Sequence, residues 1–283
     1  MSGAGLPGVP TGWERMSQAE RNAAYNNTGA VANVAALHAA RTAASEVTRA
    51  RPGAVLDLAY GPGPRNRIDL FPAREAAAPC LVFIHGGYWQ MNSKESFACL
   101  GEGVRAHGWS AAFPGYTLAP EATLAEIIAE IDAALSFLAE RGPDHGAAGP
   151  LIVSGWSAGG HLAALALEHP HVRAGLSISG LHELAPLRDT YLNERLHLSA
   201  EEIVALSPLR RPVVPKPLTI AHGTAELPAL IENSRAFFDY RRAAGAPGEM
   251  VAVEGRNHFT ILPEMQSADG QLTAALLRLS AWL

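Results

Sequence analysis

Short apolar runs alternate with helical patterns over most of this chain. Between most of the runs, apolar positions recur with the period of a helix, over 124–138, 158–167, 229–243 and 271–283. The apolar runs are short and continuous, which is typical of strands buried on both faces of a sheet; they lie at 80–84, 110–114, 151–154, 174–179, 217–221 and 249–253. The alternation predicts an α/β fold with a mostly parallel central sheet and helices on both faces.

Three parts of the chain depart from this repeat. Residues 1–17 are rich in glycine and proline, which predicts a loose or surface-draped lead-in. Residues 17–49 follow with an Ala-rich helical pattern. Two alternating stretches, 55–60 and 67–71, predict a hairpin. Residues 181–210 are longer than a strand connection requires and predict a small helical cap. Since the composition does not change along the chain, we predict a single domain over 1–283, with 1–50 as its lead-in and N-terminal helices.

Composition and charge narrow the class of protein. The 283 residues are 48% hydrophobic and 17% charged, as in ordinary globular proteins. A formal net charge of −5 without a basic tract argues against nucleic acid or an anionic membrane as partner. Cys80 and Cys99 are too few for a disulfide framework. The N-terminus lacks a signal-peptide pattern and no window has the length of a membrane span, so we expect a cytoplasmic protein.

Two short motifs, each directly after an apolar run, supply the parts of an acyl-transfer site. Residues 155–160 read Gly-Trp-Ser-Ala-Gly-Gly, the G-x-S-x-G pattern of a serine on a sharp turn from strand to helix. Residues 85–89 read His-Gly-Gly-Tyr-Trp. A G-x-S-x-G also occurs by chance. The catalytic interpretation is favoured because the motif lies between a strand and a helix and because the glycine-rich loop 85–89 comes before it. We predict Ser157 as nucleophile, and the N–H groups of Gly86, Gly87 and Ala158 as its oxyanion hole.

The base and the acid are expected downstream of the serine, in the chain order of an α/β-hydrolase. His258 follows the last apolar run and precedes the final helix, where a general base carried on a loop is expected. Glu226 follows the penultimate strand through a short turn, and we predict that it orients the imidazole. Asp239 lies inside a helical pattern and Glu254 at a strand end, so both are predicted to be surface charges.

Several further segments make the chain similar to the arylformamidase (kynurenine formamidase) branch of the α/β-hydrolases, over about residues 20–283. The resemblance implies the α/β-hydrolase fold and a Ser/acid/His triad, with no metal or organic cofactor. It also implies cleavage of N-formyl arylamines such as N-formylkynurenine, with aryl or short-chain esters as side substrates. The segments that carry it are 85–90, Ser93-Lys94, 115–120, 187–193, 206–208 and the loops around Glu226 and His258.

Substrate contacts are predicted from the aromatic residues around these loops. Trp156 and Glu226 stand where this branch more often has histidine and aspartate, and an indole beside Ser157 is predicted to reshape the acyl pocket. Asn193, in the cap, is a candidate polar contact. Ordinary packing at the loop bases is the alternative for each aromatic residue. The candidates for an aryl-accepting pocket are Tyr88, Trp89, Trp156, Tyr191 and Phe259.

Other function classes stay open at this point. Within enzymes, the alternative is a carboxylesterase acting on short-chain or aryl esters; outside them, it is a non-catalytic binding protein of the same fold. A metal-dependent hydrolase is disfavoured: His161 lies in the helix after the serine, His169 and His171 flank a proline, and the chain has no HExxH. The expected partner is a small amide or ester. The sequence leaves the oligomeric state open, a homodimer included.

Overall fold

Eight strands form one sheet in the computed structural model, which describes residues 7–282. The sheet order is β1-β2-β4-β3-β5-β6-β7-β8. β1 and β2 form an antiparallel hairpin, β2 is antiparallel to β4, and all other neighbours are parallel. The predicted hairpin and mostly parallel sheet are thus confirmed. The strands are β1 (Val55–Ala59), β2 (Arg67–Phe71), β3 (Cys80–Ile84), β4 (Ser110–Pro114), β5 (Leu151–Trp156), β6 (Val172–Ile178), β7 (Leu218–Gly223) and β8 (Met250–Val253).

The helices between the strands also agree with the sequence pattern. Among those not predicted are the 3-10 helix Lys94–Gly101, the short helix directly after it, and the short helix Pro263–Gln266. Within residues 7–282, no helix is both long and apolar enough to cross a membrane. The helices are α1 (Gln18–Ala24), α2 (Val34–Arg49), α3 (Glu102–Ala106), α4 (Leu124–Arg141), α5 (Ala158–Ala166), α6 (Ala185–Arg188), α7 (Asn193–Leu196), α8 (Ala200–Leu206), α9 (Pro228–Ala243), α10 (Pro263–Gln266) and α11 (Gln271–Leu279).

The core lies on both faces of the sheet, which is why the strand sequences are continuously apolar. Along β3, Cys80, Val82 and Ile84 belong to the apolar cluster that also contains side chains of α4, α5 and α9. Leu81 and Phe83 belong to the opposite cluster, with side chains of α2, α3 and α11. Successive strand residues point to opposite faces, so one five-residue run serves both layers.

The lead-in is anchored to the body rather than loose. Residues 1–6 lie outside the described part of the chain. Trp13 is buried, and its indole N–H donates to the carboxylate of Asp189 at 3.1 Å. The Gly8 carbonyl accepts a hydrogen bond from Asn233 of α9 at 3.1 Å. This segment therefore packs over the body between the cap region and α9.

The predicted cap, 181–210, contains α6, α7, α8 and the 3-10 turn Pro208–Arg210. It is tied to two other parts of the chain. Gln90, in the loop after β3, donates to the Leu192 carbonyl at 2.9 Å. On the other side, the Tyr191 N–H donates to Asn22 Oδ1 of α1 at 3.0 Å. The tip of the cap is thus held between α1 and the glycine-rich loop.

Candidate active site

Ser157 lies at the sharp turn between β5 and α5. Its backbone has φ 58° and ψ −119°, a strained conformation for a residue other than glycine. Its N–H donates to the Ile178 carbonyl at 2.8 Å. A Cβ at Gly155 would collide with the Gly159 backbone, and one at Gly159 would collide with the Ile84 carbonyl. Only glycine therefore fits at positions 155 and 159, and the first N–H groups of α5 lie beside the serine.

The glycine-rich loop after β3 passes directly beside Ser157. A Cβ at Gly86 would collide with the Trp156 carbonyl and would lie 3.1 Å from Ser157 Cβ. Gly87 has φ 117°, and a Cβ there would collide with the Met91 carbonyl and the Asn92 amide, both within 2.6 Å. Both glycines are therefore required by close backbone approach. Of the predicted donors, Gly86 thus lies against Ser157, and Ala158 follows the serine directly at the start of α5.

Glu226 and His258 meet although 32 residues separate them. Glu226 Oε2 lies 2.9 Å from His258 Nδ1, and both side chains are almost fully buried. Burial by itself would raise the pKa of Glu226, but hydrogen bonds from His258, Ser179 and the Gly223 N–H outweigh it and hold the pKa below its usual value. Glu226 is thus an ionised acceptor at neutral pH. Because Nδ1 faces the carboxylate, Nε2 is the ring nitrogen that points away from Glu226.

Two residues that sequence analysis missed shape this pair. Ser179, directly after β6, donates its hydroxyl to Glu226 Oε1 at 2.6 Å. The side-chain oxygen of Asn257 accepts the N–H groups of Phe259 and Thr260, each at 3.0 Å, and so forms the turn that presents His258. The signal for Ser179 was a polar residue at the carboxyl end of a parallel strand, where sites in α/β folds gather.

Trp156 packs beneath the loop that carries His258, and the expectation that its indole reshapes the acyl pocket stays a prediction. The residue is only 2% exposed, and its ring packs 4.8 Å from the His258 ring and 5.7 Å from that of Phe259, between centroids. Its indole N–H donates to the His258 carbonyl at 2.8 Å. The side chain therefore lies in the core beneath the histidine loop, where it supports the backbone of the candidate base.

Replacing Trp156 with phenylalanine should destabilise the protein by about 1–3 kcal/mol, because the buried His258 carbonyl loses its donor. Urea unfolding at neutral pH measures this change. The matched control is Trp282→Phe, since Trp282 is 64% exposed and its loss should change the free energy of unfolding little. Equal stability of the Trp156 variant and the wild type would show that the indole hydrogen bond contributes nothing.

The other predicted substrate contacts divide into buried and exposed residues. Trp89 is fully buried, with its ring edge-on to His161 at 5.0 Å between centroids, and Phe259 is 6% exposed. Asn193 accepts the Leu198 N–H at 2.8 Å, so its oxygen serves the cap itself. Packing surrounds Trp89 and Phe259, and an internal hydrogen bond engages Asn193. A substrate contact for these three residues stays a prediction.

Tyr88 and Tyr191 are the two remaining aromatic candidates. The Tyr88 hydroxyl donates to the Tyr25 carbonyl at 2.6 Å and accepts from Asn27 at 3.0 Å. The N-terminal segment thereby fixes this side chain. Tyr191 is 40% exposed at the tip of the cap. A substrate contact for either residue stays a prediction.

Two of the three histidines weighed as metal ligands have hydrogen-bond partners elsewhere. His161 Nε2 lies 2.8 Å from the Leu206 carbonyl. His169 Nε2 lies 3.0 Å from the Ser136 hydroxyl. Within residues 7–282, no group of three or more His, Cys, Asp or Glu side chains is arranged to hold a metal ion.

Comparison with known proteins agrees with this fold. The family profile described as BD-FAE matches residues 68–173. Kynurenine formamidase of Danio rerio is 24% identical, with 88% of each chain covered, and that of Drosophila melanogaster is 27% identical, with 82% of this chain and 83% of the relative covered. A crystal structure from Silicibacter sp., described as a candidate thioesterase, has 30% identity and a TM-score of 0.84, covering 91% of this chain and 99% of that one.

The fold, the serine turn and these relatives define the class: the chain belongs to the α/β-hydrolase superfamily. Within it, the chain is similar to the kynurenine formamidases over most of its length, at 24% and 27% identity. Its activity is of the serine-hydrolase type, directed at ester or amide bonds.

Proposed function

We propose that this protein hydrolyses N-formyl arylamines, of which N-formylkynurenine is the representative, through a Ser157–His258–Glu226 triad. The observation that carries the proposal is the buried Glu226–His258 hydrogen bond of 2.9 Å, at the same edge of the sheet as the strained Ser157 turn. A triad needs a carboxylate that fixes the histidine tautomer and stabilises the imidazolium. Glu226 meets this requirement with both of its oxygens hydrogen-bonded.

The proposed reaction assigns one step to each of these groups. Ser157 Oγ attacks the formyl carbon while His258 Nε2 takes its proton, and the N–H groups of Gly86, Gly87 and Ala158 stabilise the oxyanion. The C–N bond then breaks as the imidazolium protonates the leaving arylamine. Water, deprotonated by His258, attacks the formyl-enzyme and releases formate. No metal or organic cofactor takes part in this sequence of steps.

The tight surroundings of the serine favour a small acyl group. Ser157 is 2% exposed and His258 4% exposed. Gly86 lies against the Ser157 side chain and leaves no room for a Cβ. Formyl is the smallest acyl group, which favours it over longer chains. The kynurenine formamidases of zebrafish and fruit fly support the arylamine as the leaving group.

The test compares kcat/KM for N-formyl-L-kynurenine with that for p-nitrophenyl acetate and butyrate, using Ser157→Ala as the blank. We expect a preference for the formamide and a decline from acetate to butyrate. Hydrolysis of the esters alone would overturn the formamidase proposal and keep the triad. Ser157-independent turnover of every substrate would overturn the triad.

A carboxylesterase acting on short-chain esters is the second candidate. One relative is an isoprenylcysteine methylesterase of Arabidopsis thaliana, 27% identical over 71% of this chain and 55% of the relative. A structure of an esterase from Thermogutta terrifontis with propionate bound has 26% identity and a TM-score of 0.65, covering 82% of this chain and 96% of that one. Propionate is the acid of a short acyl group. Because the experiment above compares a formamide with short-chain esters, it also separates the two candidates.

Replacing Glu226 with aspartate should lower kcat/KM by about 10²-fold at neutral pH. The shorter side chain withdraws the carboxylate from His258 by one methylene, and a misplacement of about 1 Å costs this much in a preorganised site. The matched control is Glu254→Asp on the exposed end of β8, which should retain full activity. Undiminished activity of the Glu226 variant would assign the acid to another residue.

A further inference from the structure

We infer that Asn92 is a positioning residue for the oxyanion hole, in that it fixes the orientation of the Gly86–Gly87 peptide. The inference rests on the proposed function, because it concerns the same site. Asn92 Nδ2 donates to the Gly86 carbonyl at 3.0 Å. No sequence motif singled out this residue, which lies five positions beyond Gly87 at the far end of the glycine-rich loop.

The geometry of the peptide bond makes this hydrogen bond consequential. In a trans peptide the carbonyl of one residue and the N–H of the next point in opposite directions. Asn92 and His85 Nδ1 both lie 3.0 Å from the Gly86 carbonyl oxygen. The Gly87 N–H therefore points away from both side chains. The peptide passes beside Ser157, which Gly86 contacts, so its orientation decides whether the Gly87 N–H is a usable donor.

Of the two side chains that contact the Gly86 carbonyl, His85 is the less suitable one to mutate, because it is part of the core. Its ring stacks on Tyr116 at 4.2 Å between centroids, and burial lowers the pKa of His85 to about 4, so it is neutral. A carbonyl oxygen only accepts, so Nδ1 carries the hydrogen. Asn92 is half-buried at the rim of the loop, where a substitution changes the hydrogen bond without opening the core.

Asn92 is itself held in place by Arg65. Its carbonyl accepts a hydrogen bond from Arg65 Nη2 at 2.6 Å, and Arg65 Nε donates to the Tyr116 carbonyl at 2.7 Å. Its φ is 75°, in the left-handed region that asparagine tolerates better than most residues. Asparagine thus combines the backbone conformation with an amide donor at the right distance.

Two substitutions separate the donor from the backbone conformation. Asn92→Asp keeps the shape and the tolerance for positive φ but replaces the donor with a carboxylate, which repels the Gly86 carbonyl. Asn92→Gly keeps the conformation and removes the side chain. Asn33→Asp is the matched control: Asn33 is exposed at the start of α2 and its side chain caps no N–H group.

The experiment measures p-nitrophenyl acetate hydrolysis and inhibition by an aryl trifluoromethyl ketone, which forms an oxyanion adduct with an active serine. We expect kcat to fall about 10- to 100-fold in Asn92→Asp and less in Asn92→Gly, with KM changed less than twofold. The inhibition constant should rise by the same factor as kcat/KM falls. Asn33→Asp should match the wild type in all three quantities.

The outcomes distinguish the inference from the proposed function. Wild-type kinetics in both Asn92 variants, with Ser157-dependent activity, would overturn the positioning role alone. If kcat/KM falls together with a higher KM and a lower thermal stability, while ketone binding is unchanged, Asn92 has a structural role. That result would also overturn the positioning role. Absence of Ser157-dependent hydrolysis in the wild type would overturn the proposed function and this inference together.

Discussion

Replacing Ser157 with alanine should lower kcat/KM for every formamide and ester substrate by about 10⁴- to 10⁶-fold, the range for loss of the nucleophile in a triad that acts as a unit. The free energy of unfolding should change little. The Ser157 N–H still donates to Ile178, and alanine takes the same strained backbone conformation at no greater cost than serine. The measurement is steady-state kinetics together with labelling of the wild type by a fluorophosphonate.

The same strand offers a matched control for this prediction. Ser154 lies in β5, three residues before the nucleophile, and its buried hydroxyl has no hydrogen-bond partner among the described residues. Ser154→Ala removes the same atom from a site without chemistry, so both activity and labelling should persist. A Ser157→Ala variant that keeps a tenth of the wild-type activity would mean that another residue is the nucleophile.

The second large effect is a loss of stability in mild acid, caused by three buried histidines. Burial lowers the pKa of His85 and His161 to about 4 and that of His182 to about 3, against 6.5 for an unperturbed histidine. Below pH 6.5 the unfolded chain binds protons that the folded chain rejects, so stability falls as pH falls. Each histidine contributes about 1.4 kcal/mol per pH unit, hence about 3 kcal/mol by pH 4.

The sum is comparable with the total stability of a typical domain, about 5–15 kcal/mol, so we expect unfolding between about pH 4 and 5. Urea unfolding followed by circular dichroism at pH 7.5, 6.5, 5.5 and 4.5 measures the slope. His182→Phe removes one titrating group while its ring still stacks on Phe237, and should reduce the slope by about one proton. A free energy of unfolding that is constant from pH 6.5 to 5 would contradict the prediction.

Each member of the proposed triad has a local signal in the sequence. Ser157 lies in a motif whose glycines are required by backbone collisions, and Gly155 and Gly159 indeed leave no room for a Cβ. Glu226 and His258 were placed by their position after β7 and β8, and the structure brings them to 2.9 Å. Chain order and strand ends are properties that one sequence shows directly.

The residues around the triad were harder to predict, because their roles depend on contacts between distant segments. An aromatic residue next to the nucleophile is compatible with a pocket wall or with packing, and Trp156 proved to pack under a loop 102 residues further on. Ser179 serves an acid 47 residues away. Helical and strand periodicity give no information about such pairs.

The sequence by itself determined the strand–helix order, the hairpin and the strained serine turn, since these follow from short-range patterns and from glycine sterics. It also determined that a loop-borne acid and histidine follow the last two strands. Only the tertiary structure decided which polar groups meet at the edge of the sheet: Ser179 on Glu226, Trp156 beneath His258 and Asn92 on the Gly86 carbonyl. Those contacts arise when the packed layers bring separate loops together, a long-range event that no local pattern encodes.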